Sequence, residues 1–325
     1  MGIDESPPVS KHLSVGGIVV TDASALVGGL LWVGALFIGE LVTIVEQALA
    51  LAPLVLVPLG MGMGAAGGFQ GTASRLYNAA VLGQPIGGIL LLVSLTFLSG
   101  GIGAAVAALP WLIVTGLLGL TALTRTRDRG AWPLSETVID AGFAYSVVGA
   151  VALVLHHLGI TFWFEPIIIL LTAVHFHYAG FVLPVLTGLA GRSLAGRVGT
   201  GFRILVGVVL IGPALIAIGI SFSPVVEVLA VGGFTLAVAV LSSYITIRVA
   251  PRRPRVQGAL VALSSVALPV SMVLALGYGI GAFTGINPLG LSISRMITLH
   301  GTLNAFGFAL LGTIGWRLAV PPTDR

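Results

Sequence analysis

Residues 171–188 of the chain read LTAVHFHYAGFVLPVLTG. The stretch has the length and apolar character of a membrane-spanning helix, yet His175, His177 and Tyr178 lie near its middle. Polar side chains at that depth are costly in lipid and usually face the interior of a helix bundle or a cavity. The stretch therefore predicts a membrane-embedded fold with a histidine-containing polar site near the middle of the bilayer.

The composition of the whole chain supports this interpretation. Of its 325 residues, 57% are hydrophobic and 8% are charged, and the mean hydropathy is +1.10. Soluble domains carry about 25% charged residues, so most of this chain must face lipid or other helices. Its long unbroken apolar runs differ from the alternating segments of about ten residues in a β-barrel. We therefore expect an all-α, polytopic transmembrane helical bundle surrounded by the lipid bilayer.

Three features of the composition exclude classes of function. The chain has no cysteine, which excludes disulfides, thiolate metal ligands and cysteine nucleophiles. Its one lysine, Lys11, lies in the N-terminal segment, which excludes an intramembrane Schiff base of the retinal kind. The net charge of +4 comes from arginines in short loops between apolar runs. That pattern indicates membrane topology rather than a nucleic-acid-binding face, so we expect no nucleic acid partner.

The apolar runs predict about ten spans of roughly 20 residues each. The expected spans are residues 23–41, 46–66, 79–99, 104–123, 137–158, 164–188, 202–222, 225–247, 258–281 and 292–317. The first two are the least clearly separated, and a single element over 23–66 is the alternative. The segment RTRDRGAWPLSE, residues 125–136, predicts a loop. Accordingly, residues 1–22 are expected to form a polar, mostly disordered cytoplasmic tail, 23–318 a single transmembrane domain and 319–325 a short cytoplasmic C-terminal tail.

The arginines predict the orientation of these spans. They fall in every second loop and at the C-terminal end: Arg75, Arg125 to Arg129, Arg192 to Arg203, Arg248 to Arg255, Arg317 and Arg325. The intervening turns instead carry Glu40, Glu46, Glu165 and Glu227. Basic loops face the cytoplasm in membrane proteins. We therefore expect both termini in the cytoplasm and a multi-pass location in the cytoplasmic membrane of a prokaryote.

The histidines of two spans are the strongest candidates for a functional site. His175 and His177 lie in the sixth span and His300 in the tenth, and both spans run from outside to inside. The three residues therefore have comparable, outer-to-middle depths. Asn304 lies one helical turn beyond His300 and can orient its ring or bind a common ligand. His175 and His177 are about 200° apart around a helix, so an unbroken helix directs them to different partners.

Three roles fit these histidines: metal or haem ligand, proton relay, or contact to a small-molecule or ion ligand. The candidate metal ligands are His175, His177 and His300. The alternative is a structural role, in which a buried histidine only fixes helix packing. Arg295 lies just inside the outer end of the tenth span, where an arginine must pair, reach the interface or bind an anion. Glu165 is its expected partner if the sixth and tenth spans touch.

Two runs carry a family resemblance. LTAVHFHYAGFVLPVLTG and RMITLHGTLNAFGFALLGTIGW resemble the YndJ-like family of bacterial and archaeal integral membrane proteins, and APLVLVPLG at residues 52–60 also resembles it. The similarity covers residues 45–317. His175, His177, Tyr178, His300 and Asn304 match motif positions of that family. The resemblance implies a polytopic membrane fold and, because members are often called transporters, a transport function without an assigned mechanism.

Three functions compete on these observations. The first is a transporter or channel whose polar groups bind a small substrate or relay protons. The second is a membrane-embedded enzyme or redox protein with a histidine-bound metal or haem, although the spacing matches no motif such as HExxH. The third is a structural or assembly subunit in which the polar centre only sets packing. The sequence favours the first.

Overall fold

The computed structural model describes residues 13–37, 42–98, 100–194 and 199–323. Two short strands, β1 (Ser14–Val15) and β2 (Ile18–Val19), form an antiparallel hairpin before the first helix. Ten helices follow: α1 Val20–Leu36, α2 Ile44–Gly64, α3 Gly71–Thr96, α4 Gly101–Arg129, α5 Leu134–His157, α6 Pro166–Arg192, α7 Thr200–Phe222, α8 Pro224–Arg252, α9 Arg255–Thr284 and α10 Ile293–Leu318. Of these described helices, nine are long and apolar enough to cross a membrane, and α1 is a shorter apolar helix.

The helical bundle predicted from the apolar runs is confirmed, and residues 23–66 form two helices rather than one. The arginine-rich segments differ from the prediction. Helix α4 continues through Arg129 and helix α8 through Arg252, so the predicted loops are reduced to a few residues. Arginine is a good helix former, and arginines in the last turn also interact favourably with the helix dipole. The first helix begins at Val20, inside the expected N-terminal tail.

Helix α2 lies at the centre of the bundle. It packs against α1, α3, α6 and α10. In its apolar stretch of 18 residues 72% are buried, against 22% in the corresponding stretch of α7. Its GMGMG segment allows this close packing, because a Cβ at Gly60 would come within 2.6 Å of the Phe181 ring. A Cβ at Gly64 would likewise come within 2.8 Å of the Phe143 ring. Small residues serve here to bring helices together, as is common in lipid.

The prolines of α2 leave backbone carbonyls that neighbouring helices must satisfy. The N–H of Val57 bonds to the Ala52 carbonyl, in a π-helical turn, rather than to the Pro53 carbonyl. The next N–H that could reach the Pro53 carbonyl belongs to position 58, which is proline and has none. The buried Gln84 amide of α3 donates to that carbonyl at 2.6 Å. A side chain thus replaces a missing backbone bond and ties α3 to α2.

The outer surface of the bundle is apolar. Leu30 is 75% exposed, Ile102 76% and Leu229 70%, and many other large hydrophobic side chains are exposed along the helices. Patches of this extent are rare on monomeric soluble proteins. They match a surface that contacts lipid acyl chains.

Both ends of the described chain lie at one end of the bundle, together with Arg125, Arg129, Arg192, Arg253 and Arg317; Arg295 lies at the opposite end. Arg317 near the end of α10 pairs with Asp22 in the first turn of α1. Arg253 between α8 and α9 donates to the Ala319 carbonyl. We call this end the basic face, and the direct pairing of Asp22 with Arg317 places the start of α1 and the end of α10 on it.

A buried charge network lies at the basic face and joins three helices. Arg192 of α6 is fully buried and binds both carboxylate oxygens of Glu136 in α5, at 2.6 and 2.8 Å. The same carboxylate accepts a hydrogen bond from Arg125 of α4 at 2.8 Å. Arg125 also pairs with Asp140, which accepts from Arg129 at 2.9 Å. Arginines that appear topogenic in the sequence are therefore structural partners of two carboxylates.

Arg192 also closes the end of α2. Its guanidinium donates to the carbonyls of Met63 and Gly64 at 2.9 and 2.7 Å. The last carbonyls of a helix have no partner within the helix and carry the negative end of its dipole. One cation therefore satisfies the end of the central helix and a carboxylate of α5 at the same time.

We expect Arg192→Met to destabilise the fold. The change leaves the Gly64 carbonyl and the Oε1 atom of Glu136 without a partner in a buried place, while the Met63 carbonyl keeps only the 3.3 Å bond from the Ala66 N–H. Removing one partner of such a buried ion pair costs about 3–5 kcal/mol. The midpoint of thermal unfolding in detergent checks this. Arg127→Met is the matched control, because Arg127 is exposed and its loss should change stability by about 0.5 kcal/mol or less. Equal midpoints for the two variants would contradict this role for Arg192.

Candidate functional site

Helix α6 widens into a π-helical turn at the residues that the sequence singles out. Its regular part ends at His177, and Tyr178–Val182 forms the π-helical segment. Helix α10 has two such segments, Ile297–Gly301 and Leu303–Leu310, which contain His300 and Asn304. Short π-helical segments inside α-helices are frequent at functional sites. The motif residues of both helices thus lie in or next to irregular turns.

His177 faces α4 and is fully engaged. Its Nε2 accepts a hydrogen bond from the indole N–H of Trp111 at 2.9 Å, and the two rings stack. Because Nε2 accepts, Nδ1 carries the hydrogen and donates to the Ala173 carbonyl at 2.7 Å. The residue is completely buried. His177 therefore acts as a packing histidine, with no nitrogen available for a ligand.

Tyr178 faces α2. Its hydroxyl donates to the Ala48 carbonyl at 2.7 Å. That carbonyl lacks its usual helical partner, because the N–H of Ala52 bonds to Leu49 and Pro53 has no N–H. Tyr178 therefore fixes α6 against the central helix rather than lining an open site.

His175 and His300 come together, as their matched depth predicts. Their rings stack with centroids 6.2 Å apart. Along the helix axes they lie about 14 Å from Pro166 and about 11 Å from Ile293, at 1.5 Å per residue. The pair is therefore well inside the spans, measured from the ends opposite the basic face.

Ser271 of α9 and Asn304 hold the His300 ring in place. The Nδ1 atom of His300 is 2.9 Å from the Ser271 carbonyl oxygen, which can only accept, so Nδ1 carries the hydrogen. Its Nε2 then accepts from the Asn304 amide nitrogen at 3.0 Å. The same amide nitrogen donates to the Ser271 hydroxyl at 2.8 Å. Both nitrogens of His300 are therefore occupied.

His175 keeps one nitrogen free. Its Nδ1 donates to the Leu171 carbonyl at 2.7 Å, which leaves Nε2 with a lone pair. Among the described residues no polar atom bonds to this Nε2, and the side chain is exposed on the bundle. It is the one imidazole of the three in α6 and α10 that can accept a hydrogen bond or a proton from a ligand.

Other residues singled out by the sequence lie elsewhere. The expected Glu165–Arg295 pair does not form: Arg295 is exposed and donates to the Gly290 and Leu289 carbonyls at 3.0 and 3.4 Å. Glu165 is exposed where α6 begins, without a side-chain cap bond. Glu40 lies outside the described residues.

The three histidines considered as metal ligands do not converge. His177 faces Trp111 on α4, whereas His175 faces His300 on α10. Within the described parts of the chain, no group of three histidine or acidic side chains could hold a metal ion. The physical reason is the angular separation of His175 and His177 around α6.

Sequence reasoning missed several residues that the structure brings into the polar network. Ser271 contacts both His300 and Asn304, and its only sequence signal is a hydroxyl within an apolar run. Trp111 lies buried against His177, and nothing in the sequence relates the two residues. The charge network had a clear signal, because Arg125 and Arg129, like Glu136 and Asp140, are spaced i, i+4 and share a helix face.

We expect Gly149→Ala to disturb the His177 position. An added Cβ at Gly149 would lie 2.6 Å from His177 Nδ1, so the ring must move and its bonds to Ala173 and Trp111 weaken. Overpacking of this kind costs about 1–3 kcal/mol, which the thermal unfolding midpoint in detergent measures. In the control Gly116→Ala nothing lies within 4 Å of the new methyl group. A Gly149→Ala protein as stable as this control would contradict the packing role of His177.

Comparison with known proteins identifies the family. The model of the family described as YndJ-like protein matches residues 47–308, which include His175, His300 and Asn304. The uncharacterized membrane protein YndJ of Bacillus subtilis (strain 168) is 32% identical over 248 residues, which cover 76% of this chain and 43% of that relative. The chain thus matches less than half of the length of this curated relative. No solved structure matches the chain significantly. The resemblance seen in the histidine-containing runs is confirmed, and the chain belongs to the YndJ-like family of membrane proteins.

Proposed function

We propose that the protein is a membrane transporter whose substrate site is formed by His175, His300 and Asn304. The observation that carries the proposal is the free Nε2 of His175, which is exposed deep within a span. A polar atom at this depth is costly against lipid. A ligand or water that donates a hydrogen bond to it would remove that cost.

The hydrogen-bonding groups of the site define the kind of solute. His175 Nε2 can only accept, because Nδ1 carries the hydrogen. The Asn304 amide nitrogen donates to Ser271 and His300. The free group of Asn304 is therefore its side-chain carbonyl oxygen, which can also only accept. The site therefore suits a small solute that donates through N–H or O–H groups. Protonation of His175 would replace this acceptor with a donor and weaken binding of such a solute.

The irregular turns around the site also support transport. Transporters commonly place substrates where spanning helices are broken or unwound. Here the π-helical segments Tyr178–Val182 and Ile297–Gly301 border the His175–His300 pair in two different helices. Such turns can change their hydrogen-bond pattern with less loss than regular helix, which favours rearrangement around a bound solute.

A redox protein with a histidine-bound metal or haem is the second function that the sequence raised, and the geometry favours it less. Of His175, His177 and His300, only His175 has a nitrogen without a partner in the described part of the chain. A Soret band or stoichiometric metal in the purified protein, lost in His175→Phe, would support the redox function and contradict the transport proposal.

The transport proposal is tested with pairs of solutes that differ in donors. Uptake of radiolabelled urea and methylammonium into proteoliposomes is compared with that of tetramethylurea and tetramethylammonium, which lack N–H groups. We expect uptake of at least one donor-bearing probe and none of its methylated analogue. We expect His175→Phe to lower that uptake about tenfold, the size of one lost hydrogen bond.

The control for this experiment is His156→Phe, because His156 lies at the end of α5 beside His157 and away from the pair in α6 and α10. It should leave uptake at the native level. Equal uptake of methylated and unmethylated probes, no uptake of any of the four, or full uptake in His175→Phe would contradict the proposal.

We also propose that the basic face lies in the cytoplasm and that the membrane is the cytoplasmic membrane of a prokaryote. The arginines of the basic face supply the reason, since positively charged loops are retained in the cytoplasm. The candidate site would then open toward the outer half of the membrane.

The orientation can be tested directly, since the chain has no cysteine of its own. Ala131 precedes α5 at the basic face and Ile160 follows α5 at the opposite end, and both are exposed. We expect a membrane-impermeant maleimide to label Ile160→Cys in intact cells and Ala131→Cys only after permeabilisation. The reverse labelling pattern would invert the proposed orientation.

A further inference from the structure

A small, partly enclosed cavity lies between α6, α8, α9 and α10, nearer to the basic face than the His175–His300 pair. Its volume is about 20 Å³. Most of its wall is apolar, with Leu186, Leu241 and Leu268 among the lining side chains. Four hydroxyl-bearing residues also line it: Thr187, Ser242, Ser264 and Ser265.

Three of these hydroxyls have no partner among the residues that the structure describes. The Thr187 hydroxyl is enclosed and unbonded, in a residue that is 1% exposed. Ser242 and Ser265 are 5% and 8% exposed, and neither makes a hydrogen bond to the described residues. Ser264 differs, because its hydroxyl donates to the Phe308 carbonyl at 2.7 Å. Three unpartnered hydroxyls from three helices thus meet at one cavity.

The cavity has the size and polarity of a water site. A buried hydroxyl without a partner costs about 1–3 kcal/mol, and the enclosed Thr187 hydroxyl is such a group. The hydroxyls of Ser242 and Ser265 add two further groups on the cavity wall that can bond to a water. A single water needs a cavity of about 10–15 Å³, measured as the space open to a water-sized sphere, and two to four polar partners. We infer that the cavity binds one water molecule, which bridges Thr187 of α6 to Ser242 of α8 and Ser265 of α9.

The water gives the junction between α6 and the C-terminal helices a polar centre. Polar bonds already join α9 to α10 and to the residue after it. The Asn304 amide donates to the Ser271 hydroxyl and the Gln257 amide donates to the Ala319 carbonyl, at 2.8 Å each. A bridging water can exchange its partners as the helices shift, whereas interlocked apolar side chains cannot. The inference rests on the cavity alone and does not require the proposed transport function.

Thr187→Val tests the inference by the sign of its effect. Valine has nearly the same shape as threonine, so the change removes only the hydroxyl. If water bridges the three helices, the variant loses that bond and its melting temperature in detergent falls by about 2–4 °C. If the cavity is dry, the variant removes an unpaired buried hydroxyl, and the melting temperature stays the same or rises, which overturns the inference.

Thr121→Val serves as the matched control. Thr121 is equally buried, but its hydroxyl donates to the Leu117 carbonyl of its own helix at 2.7 Å. The melting temperature of Thr121→Val therefore shows the effect of losing a direct hydrogen bond where no bridging water is involved. Ser265→Ala, at a second wall of the cavity, should lower the melting temperature in the same direction as Thr187→Val.

A density map of the native protein that resolves ordered waters gives a second, mutation-free test. We expect one peak within hydrogen-bonding distance of the Thr187 hydroxyl and of at least one of the two serines. An empty cavity in such a map would overturn the inference, whether or not the valine variant folds.

Discussion

The bidentate pair between Arg192 and Glu136 is the interaction on which the rest of the bundle depends. It lies where α2, α5 and α6 meet, and the same guanidinium closes the carbonyl end of α2. A charge buried in this way is tolerated only when nearly all of its hydrogen-bonding capacity is used. The requirement fixes the rotation and depth of α6 at one end of the membrane, and with them the direction of its polar residues.

The second constraint comes from proline chemistry in the central helix. Pro53 and Pro58 interrupt the backbone bonds of α2, and two side chains from other helices, Gln84 and Tyr178, occupy the carbonyls left without donors. In lipid no water is available to do this. The irregular backbone therefore dictates which helices lie next to α2, and the specificity of the packing derives from missing bonds as much as from apolar contact.

Much of the fold could be predicted from the sequence, because apolar length alone marks helices in lipid. The division of His175 from His177 also followed from helix periodicity. Matched depth predicted that a histidine of the sixth span could meet His300, but not that it would be His175. Contacts that depend on how neighbouring helices rotate could not be predicted. Glu165 and Arg295 share a membrane end but not a contact, and the bond between Trp111 and His177 could not be foreseen. The Arg125–Glu136 bond was missed despite the i, i+4 spacing of the residues involved, because arginines near loops have a topological explanation that needs no partner.

The hydroxyl of Tyr178 links the candidate site to the central helix α2. His175 lies less than one helical turn before Tyr178, and Tyr178 is held by a carbonyl of α2 that lacks a donor next to Pro53. The position of the free imidazole is thus determined partly by a residue on another helix. Replacement of Pro53 would restore a backbone N–H in α2, and this N–H would compete with the Tyr178 hydroxyl for the Ala48 carbonyl. Changes in solute preference could therefore arise from the central helix while every site residue stays the same.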